Sequence, residues 1–217
     1  MTVPTRAVAA AERSALCDTL LEVGPDAPTL CSPWRTRDLA AHLVLREHRP
    51  DLVVAAHLPG VSDRLEREQN ELATATPWPE LVERVRSGPP AWHPTQIAAV
   101  DDAVNTLEFF IHHEDILRAG DPSVVRELSE ETAQGVWTAL KRTAKLLFRK
   151  VDAGLVLAAP GYGRIAVKAP SRRGSVTVTA APGELALLGF GRATHAHFDA
   201  RGSKAAVTAL QTAPLGV

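Results

Sequence analysis

The residues best suited to chemistry lie along one segment, Asp101–Ala119, which reads DDAVNTLEFFIHHEDILRA. Apolar residues surround most of a helix built from this segment, so the helix should be largely buried. At about 100° per residue, four ionisable side chains fall within about 60° of one another on the helical wheel: Asp101, Glu108, His112 and Asp115. A line of ionisable groups in an apolar helix costs free energy unless the groups are paired or bind a metal.

Glu108 and His112 are four positions apart, so their side chains are neighbours on the helix and can offer two ligands to one ion. A catalytic zinc site typically uses three protein ligands and leaves a fourth position open. We expect His42 to be the third ligand, because it lies on the partly buried face of another predicted helix. His113 lies about 100° further round and is the alternative to His112. A buried Glu–His hydrogen bond without any metal is the alternative to the whole site.

The remaining polar residues have less specific interpretations. Asp115 either holds a ligand ring by a hydrogen bond or caps a neighbouring loop, and Asp101 fits the helix start, where the dipole favours a carboxylate. His195 and His197 alternate along a predicted strand, and we interpret them as solvent-facing rather than as a second metal pair. Three histidines without a partner at metal-ligand spacing are interpreted as surface or loop residues: His48, His57 and His93.

The elements that must position these residues are helical as far as residue 151. Apolar periodicity predicts four principal helices, of a length suited to a bundle. Their predicted bounds are Val8–Val23, Arg37–Arg49 with Thr36 as its N-cap, Asp101–Ala119 and Glu130–Val151.

The pattern changes after Asp152 to short β-prone runs separated by Gly- and Pro-rich turns. The predicted elements are Leu155–Ala158, Arg164–Lys168 and Ser175–Thr179 as strands, Gly183–Phe190 as a helix, His195–Asp199 as a strand and Ser203–Thr212 as a helix. The fold class is therefore α+β. We expect residues 1–151 to form a helical bundle and residues 152–217 to form a small α+β domain docked on it, because about 65 residues bury too little surface alone.

Composition excludes several classes of function. The 217 residues are 45% apolar and 23% charged, with a formal net charge of -1. No basic block indicates nucleic acid or an anionic membrane as a partner, and no apolar run reaches the length of a membrane span. The first residues lack the apolar core of a signal peptide, so we expect a cytoplasmic protein.

Other catalytic chemistries lack their motifs in this sequence. There is no Gly-rich phosphate loop and no GxSxG segment. The two cysteines, Cys17 and Cys31, form neither a disulfide framework nor a CxxC metal site. We expect neither cysteine to have a neighbouring histidine that would activate it.

Two segments together resemble a known family. Trp34–Leu43 reads WRTRDLAAHL and Glu108–Asp115 reads EFFIHHED, and both are similar to motifs of the DinB-like metal-binding helical bundles. The likeness is to the actinobacterial branch of mycothiol-dependent maleylpyruvate isomerase-like proteins. It implies a DinB-like four-helix bundle and a divalent metal, most often Zn²⁺, held by His42, Glu108 and His112 with water at the open position.

The likeness extends to the tail, where Gly183–Arg192 is similar to a stretch of a sterol-carrier-like C-terminal domain. This chain has Gly189-Phe190 where the family has tryptophan. The resemblance implies a mycothiol-type thiol as cosubstrate for S-transfer or isomerisation of a small electrophilic substrate, in a monomer or homodimer. Arg192 could then bind a carboxylate of the substrate or the thiol. The alternative is a non-catalytic, metal-containing protein that binds a small apolar ligand.

Overall fold

A computed structural model of the chain describes residues 5–49, 61–88, 100–121 and 125–216. The predictions for His57 and His93 lie outside the described residues, as does the side chain of Asp101. Six described helices precede the first strand: α1 (Thr5–Val23), α2 (Thr36–His48), α3 (Val61–Ala75), α4 (Trp78–Ser87), α5 (Val100–Gly120) and α6 (Glu130–Leu147). None of the helices in the described ranges has the length and the apolar character that a membrane span requires.

A four-stranded sheet and two further helices follow: β1 (Gly154–Ala159), β2 (Gly163–Lys168), β3 (Ser175–Thr179), α7 (Pro182–Gly189), β4 (Asp199–Gly202) and α8 (Lys204–Gln211). The strand order is β2-β1-β3-β4. Strand β1 pairs antiparallel with β2 and parallel with β3, and β3 pairs antiparallel with β4. The described residues therefore form eight helices and one sheet, and the predicted α+β class is confirmed.

Several predicted boundaries differ from the structure, and three of the differences have a clear physical reason. The last strand begins at Asp199, because the backbone N–H of His197 bonds to the carboxylate of Glu184 at 2.7 Å instead of to a strand. Helix α6 ends at Leu147, where the next residue turns away from helical geometry. Thr36 is the first helical residue of α2 and not its N-cap, and its hydroxyl donates to the Gly24 carbonyl at 2.6 Å.

The described chain divides into two compact units that are not continuous in sequence. One unit contains the sheet, α6, α7, α8 and α5 as far as Ile111. The other contains α2, α3, α4 and α5 from His112 onward. The predicted division at residue 151 and the sterol-carrier-like character of the tail stay predictions.

The core of the unit with the sheet is built from apolar residues of both helices and strands. Trp137 of α6, Leu155 of β1 and Leu187 of α7 are all buried in it. At Gly183 helix α7 approaches α5 closely, because a Cβ atom there would lie 2.7 Å from the Phe110 ring. Glycine is therefore the residue that this close approach requires.

In the other unit, α2 packs against α3 and α4. Its inward face consists of short and branched apolar side chains that are fully or almost fully buried: Leu39, Ala40, Ala41 and Leu43. A helix buried in this way is fixed in position and rotation by its packing. It is therefore a rigid support for His42, the residue between Ala41 and Leu43.

Candidate metal centre

Helix α2 and the residues before it fix the position of His42. The Trp34 ring lies against the imidazole, with 5.0 Å between ring centroids and a 41° angle between the planes. One Asp38 carboxylate oxygen accepts the backbone N–H of Arg35 at 2.9 Å, which satisfies a donor at the start of the helix. Leu39 is fully buried. Trp34, Asp38 and Leu39 thus each have a physical role in placing His42.

Helix α5 positions the acidic residues and His112. The ring nitrogen Nδ1 of His112 lies 3.0 Å from Oδ2 of Asp115, and the two side chains are 10% and 0% exposed. A neutral imidazole that donates its Nδ1–H to this carboxylate carries its lone pair on Nε2. The ring packs edge-on against His42, with 5.5 Å between centroids. A carboxylate behind a histidine is the usual way to orient a metal ligand.

The three predicted ligands are close together in the structure. One donor atom each from His42, Glu108 and His112 can be chosen so that all lie within 4.8 Å of one another. Two atoms bound to one tetrahedral zinc ion at about 2.1 Å are about 3.4 Å apart. Small side-chain rotations would close that difference, so the donor set fits a divalent ion. The ligand role of these residues stays a prediction.

Cys31 lies against His112 and Asp115, which the sequence did not indicate. Its sulfur donates to Oδ2 of Asp115 at 3.1 Å and lies 3.9 Å from Nδ1 of His112. The loop that carries it is held to α5, because the Leu30 N–H donates to the Asp115 carbonyl at 3.0 Å. The expectation that neither cysteine has a histidine neighbour was therefore wrong for Cys31. No local sequence pattern reports a contact between residues 81 positions apart.

His113, the alternative ligand, points to helix α1 instead. Its Nε2 lies 2.9 Å from the Thr19 hydroxyl, and its Nδ1 lies 3.5 Å from a carboxylate oxygen of Glu12. Both His113 and Glu12 are buried. His113 is in neither group of potential metal ligands found among the described residues. The arrangement indicates a structural polar cluster that ties α1 to α5.

Cys17 has surroundings unlike those of Cys31. Its thiol is fully buried and lies 3.8 Å from the Val82 carbonyl oxygen, which it faces as a weak donor. Burial raises the pKa of this thiol to about 11, although the nearby Arg86 and Arg13 act in the opposite direction. At neutral pH the Cys17 thiol is therefore protonated and poorly suited to ligation or nucleophilic attack.

The other predicted residues have the following burial and contacts. Arg192 is half-buried, and its guanidinium donates to the Phe190 carbonyl at 2.6 Å. A ring nitrogen of the half-buried His48 lies 2.8 Å from the Val44 carbonyl oxygen. His195 is half-buried and His197 is exposed, and both precede β4 rather than lying on a strand. Substrate binding by Arg192 stays a prediction.

Comparison with known proteins gives a structural neighbour. No family model matches the chain, and no curated protein matches it in sequence. Among solved structures, the chain is similar to a histidine-to-alanine mutant of mycothiol-dependent maleylpyruvate isomerase, with a TM-score of 0.59 and 16% sequence identity. The match covers 94% of this chain and 92% of that one. This chain therefore shares the fold of that protein along almost its whole length.

Proposed function

We propose that this chain is a metal-dependent enzyme that uses a low-molecular-weight thiol of the mycothiol type. The reaction would be S-transfer to, or isomerisation of, a small electrophilic substrate. The observation that carries the proposal is the cluster of His42, Glu108 and His112, whose donor atoms lie within 4.8 Å of one another. The shared fold with an isomerase named for its mycothiol dependence supports the choice of thiol. The motifs around His42 and Glu108 support a place among the DinB-like bundles.

The chain's own residues would bind and orient the ion, for which zinc is our first choice. His42, Glu108 and His112 would be its ligands, Trp34 would support one imidazole, and Asp115 would orient the other. When bound, such an ion lowers the pKa of a coordinated thiol, so that a thiolate exists at neutral pH. Two neutral imidazoles and one carboxylate leave a net charge of about +1 on a divalent ion, which favours an anionic ligand at the open position.

The thiolate would act as a nucleophile on the substrate. In an isomerisation it would add to an electrophilic double bond, allow rotation about the resulting single bond, and leave again. In an S-transfer it would displace a leaving group and stay on the product. Arg192 is proposed to bind a carboxylate of the substrate or thiol, since a guanidinium can donate two parallel hydrogen bonds to that group.

The test is thermal unfolding of the zinc-loaded protein with mycothiol or a cysteine-containing analogue. Ligand at 100 times its dissociation constant stabilises the folded state by about 2.7 kcal/mol. We expect this stabilisation in the zinc-loaded protein and its loss after chelation or in His42→Ala. His48→Ala is the matched control, because it removes another half-buried histidine from the same helix and should leave thiol binding unchanged.

Three results would contradict the proposal. Equal stabilisation of the wild type and His42→Ala by the thiol would show that the metal cluster has no part in thiol binding. Stabilisation by lipids, together with no effect of the thiol, would favour the alternative of a binding protein for a small apolar ligand. A melting temperature that EDTA does not change would favour the metal-free Glu–His pair.

A further inference from the structure

Cys31, His112 and Asp115 make a second group of metal-ligating side chains. The proposed function uses His112 as a ligand and Asp115 behind it, and it gives Cys31 no role. The sulfur, one ring nitrogen and one carboxylate oxygen all lie within 4.8 Å of one another. Asp115 is fully buried, His112 is almost fully buried, and Cys31 is half-buried. In this group His112 would bind an ion through Nδ1. In the first group, of His42, Glu108 and His112, it would bind through Nε2, because Nδ1–H donates to Asp115.

The three distances fit a single tetrahedral ion. Zinc bonds of about 2.3 Å to sulfur, 2.05 Å to nitrogen and 2.1 Å to oxygen place the donors about 3.4–3.6 Å apart. The structure has 3.1 Å between Cys31 Sγ and Asp115 Oδ2, 3.9 Å between Sγ and His112 Nδ1, and 3.0 Å between Nδ1 and Oδ2. Each separation is within about 0.5 Å of the value that zinc requires.

The charges and the softness of these donors also indicate the kind of ion. A thiolate and a carboxylate together neutralise a divalent cation, so the ion would be buried without net charge, which is the least costly way to bury it. A thiolate selects Zn²⁺ or Cd²⁺ over hard ions such as Mg²⁺ and Mn²⁺. Binding would release the thiol proton of Cys31 and move the imidazole proton of His112 from Nδ1 to Nε2.

We propose that Cys31, His112 and Asp115 form a second binding site for a thiophilic divalent ion. The two sites share His112 and exclude each other, because a neutral imidazole has one nitrogen lone pair to donate. An ion at the second site uses Nδ1 and leaves Nε2 protonated, which removes a ligand from the first site. The chain would therefore hold one ion at a time, and soft ions would favour the site that contains Cys31.

The experiment is a titration of chelator-treated, desalted protein with Cd²⁺. Ultraviolet absorption from thiolate-to-cadmium charge transfer reports sulfur ligation, and competition with a chelating dye gives the affinity. We expect the absorption in the wild type and its loss in Cys31→Ser and Cys31→Ala. The Cd²⁺ affinity of both variants should fall to that of the first site, whose ligands include no sulfur, so Cd²⁺ bound by either variant should give no such absorption.

Two controls distinguish Cd²⁺ binding at Cys31 from binding at the other cysteine or at the first site. Cys17→Ser removes the other cysteine, whose buried thiol makes its contact with Val82, and should keep the absorption. His42→Ala removes a ligand of the first site only and should also keep it. Retention of the absorption and the affinity in both Cys31 variants would overturn the proposal. Loss of the absorption in His42→Ala would overturn it as well. Failure of thiol binding to the zinc-loaded protein would instead count against the proposed function alone.

Discussion

Replacing His112 or His113 by alanine should separate metal binding from structural stability. The two residues are consecutive on α5, and they are 8% and 4% exposed. His112→Ala removes a ligand shared by both proposed metal sites. We expect its zinc affinity to fall by more than about 100-fold, equivalent to about 2.7 kcal/mol of binding free energy.

His113→Ala should instead lower stability and leave zinc affinity almost unchanged. It removes the 2.9 Å contact with Thr19 and the 3.5 Å contact with the buried Glu12 carboxylate, and it leaves a cavity between α1 and α5. Losing a partner of a buried polar group costs about 1–3 kcal/mol, and the cavity adds to this. We expect the free energy of unfolding to fall by about 2–4 kcal/mol while zinc affinity stays within about threefold of wild type.

The assays are competition with a chromophoric zinc chelator for affinity and urea unfolding of the chelator-treated proteins for stability. Each variant is the matched control for the other, because both lose a buried imidazole from the same helix. The reasoning would be refuted if His113→Ala lost zinc affinity while His112→Ala kept it. That result would make His113 the ligand, as the alternative from the sequence proposed.

Three further predictions concern stability. Glu114→Gln should lower the free energy of urea unfolding by about 3–5 kcal/mol, because it removes the charge that pairs with buried Arg118 at 2.7 Å; a loss below about 1 kcal/mol would contradict this. Asp38→Ala should cost about 0.5–2 kcal/mol by removing the carboxylate at the start of α2, with zinc affinity by chelator competition unchanged. Burial raises the Cys17 pKa from 9.0 to about 11, so the folded state favours the neutral thiol. That contribution is complete below pH 9.0 and is lost as the pH rises towards 11, by about 1.4 kcal/mol per unit in urea unfolding. Cys17→Ala should remove this slope, and an unchanged slope would refute the assignment.

Local patterns predicted most of the secondary structure. Helix α5 was expected at Asp101–Ala119 and extends one residue further at each end, because its apolar pattern is uninterrupted before Gly120. Strand β3 has the predicted bounds, Ser175–Thr179. The strand predicted from His195 failed because a buried carboxylate, Glu184, bonds to the backbone there. That contact joins residues 13 positions apart, and no periodicity reports it.

The candidate site likewise contains some contacts that the sequence could predict and some that it could not. Glu108 and His112 could be paired from their spacing, and the contact between His112 and Asp115 joins residues three positions apart on one helix. The position of Cys31 could not be predicted, because it depends on how the loop before α2 folds against α5. The partners of His113 likewise come from α1, a helix distant in sequence.

The central claim is that His42, Glu108 and His112 hold a divalent ion. Its most direct test compares the zinc stoichiometry and zinc affinity of Cys31→Ser with those of the double variant that also carries His42→Ala. Cys31→Ser is the background because serine removes the sulfur ligand of the second site. We predict one zinc ion per chain in Cys31→Ser and an affinity more than about 100-fold lower once His42 is also replaced. Equal affinities of the two proteins, or no bound zinc in Cys31→Ser, would contradict the claim.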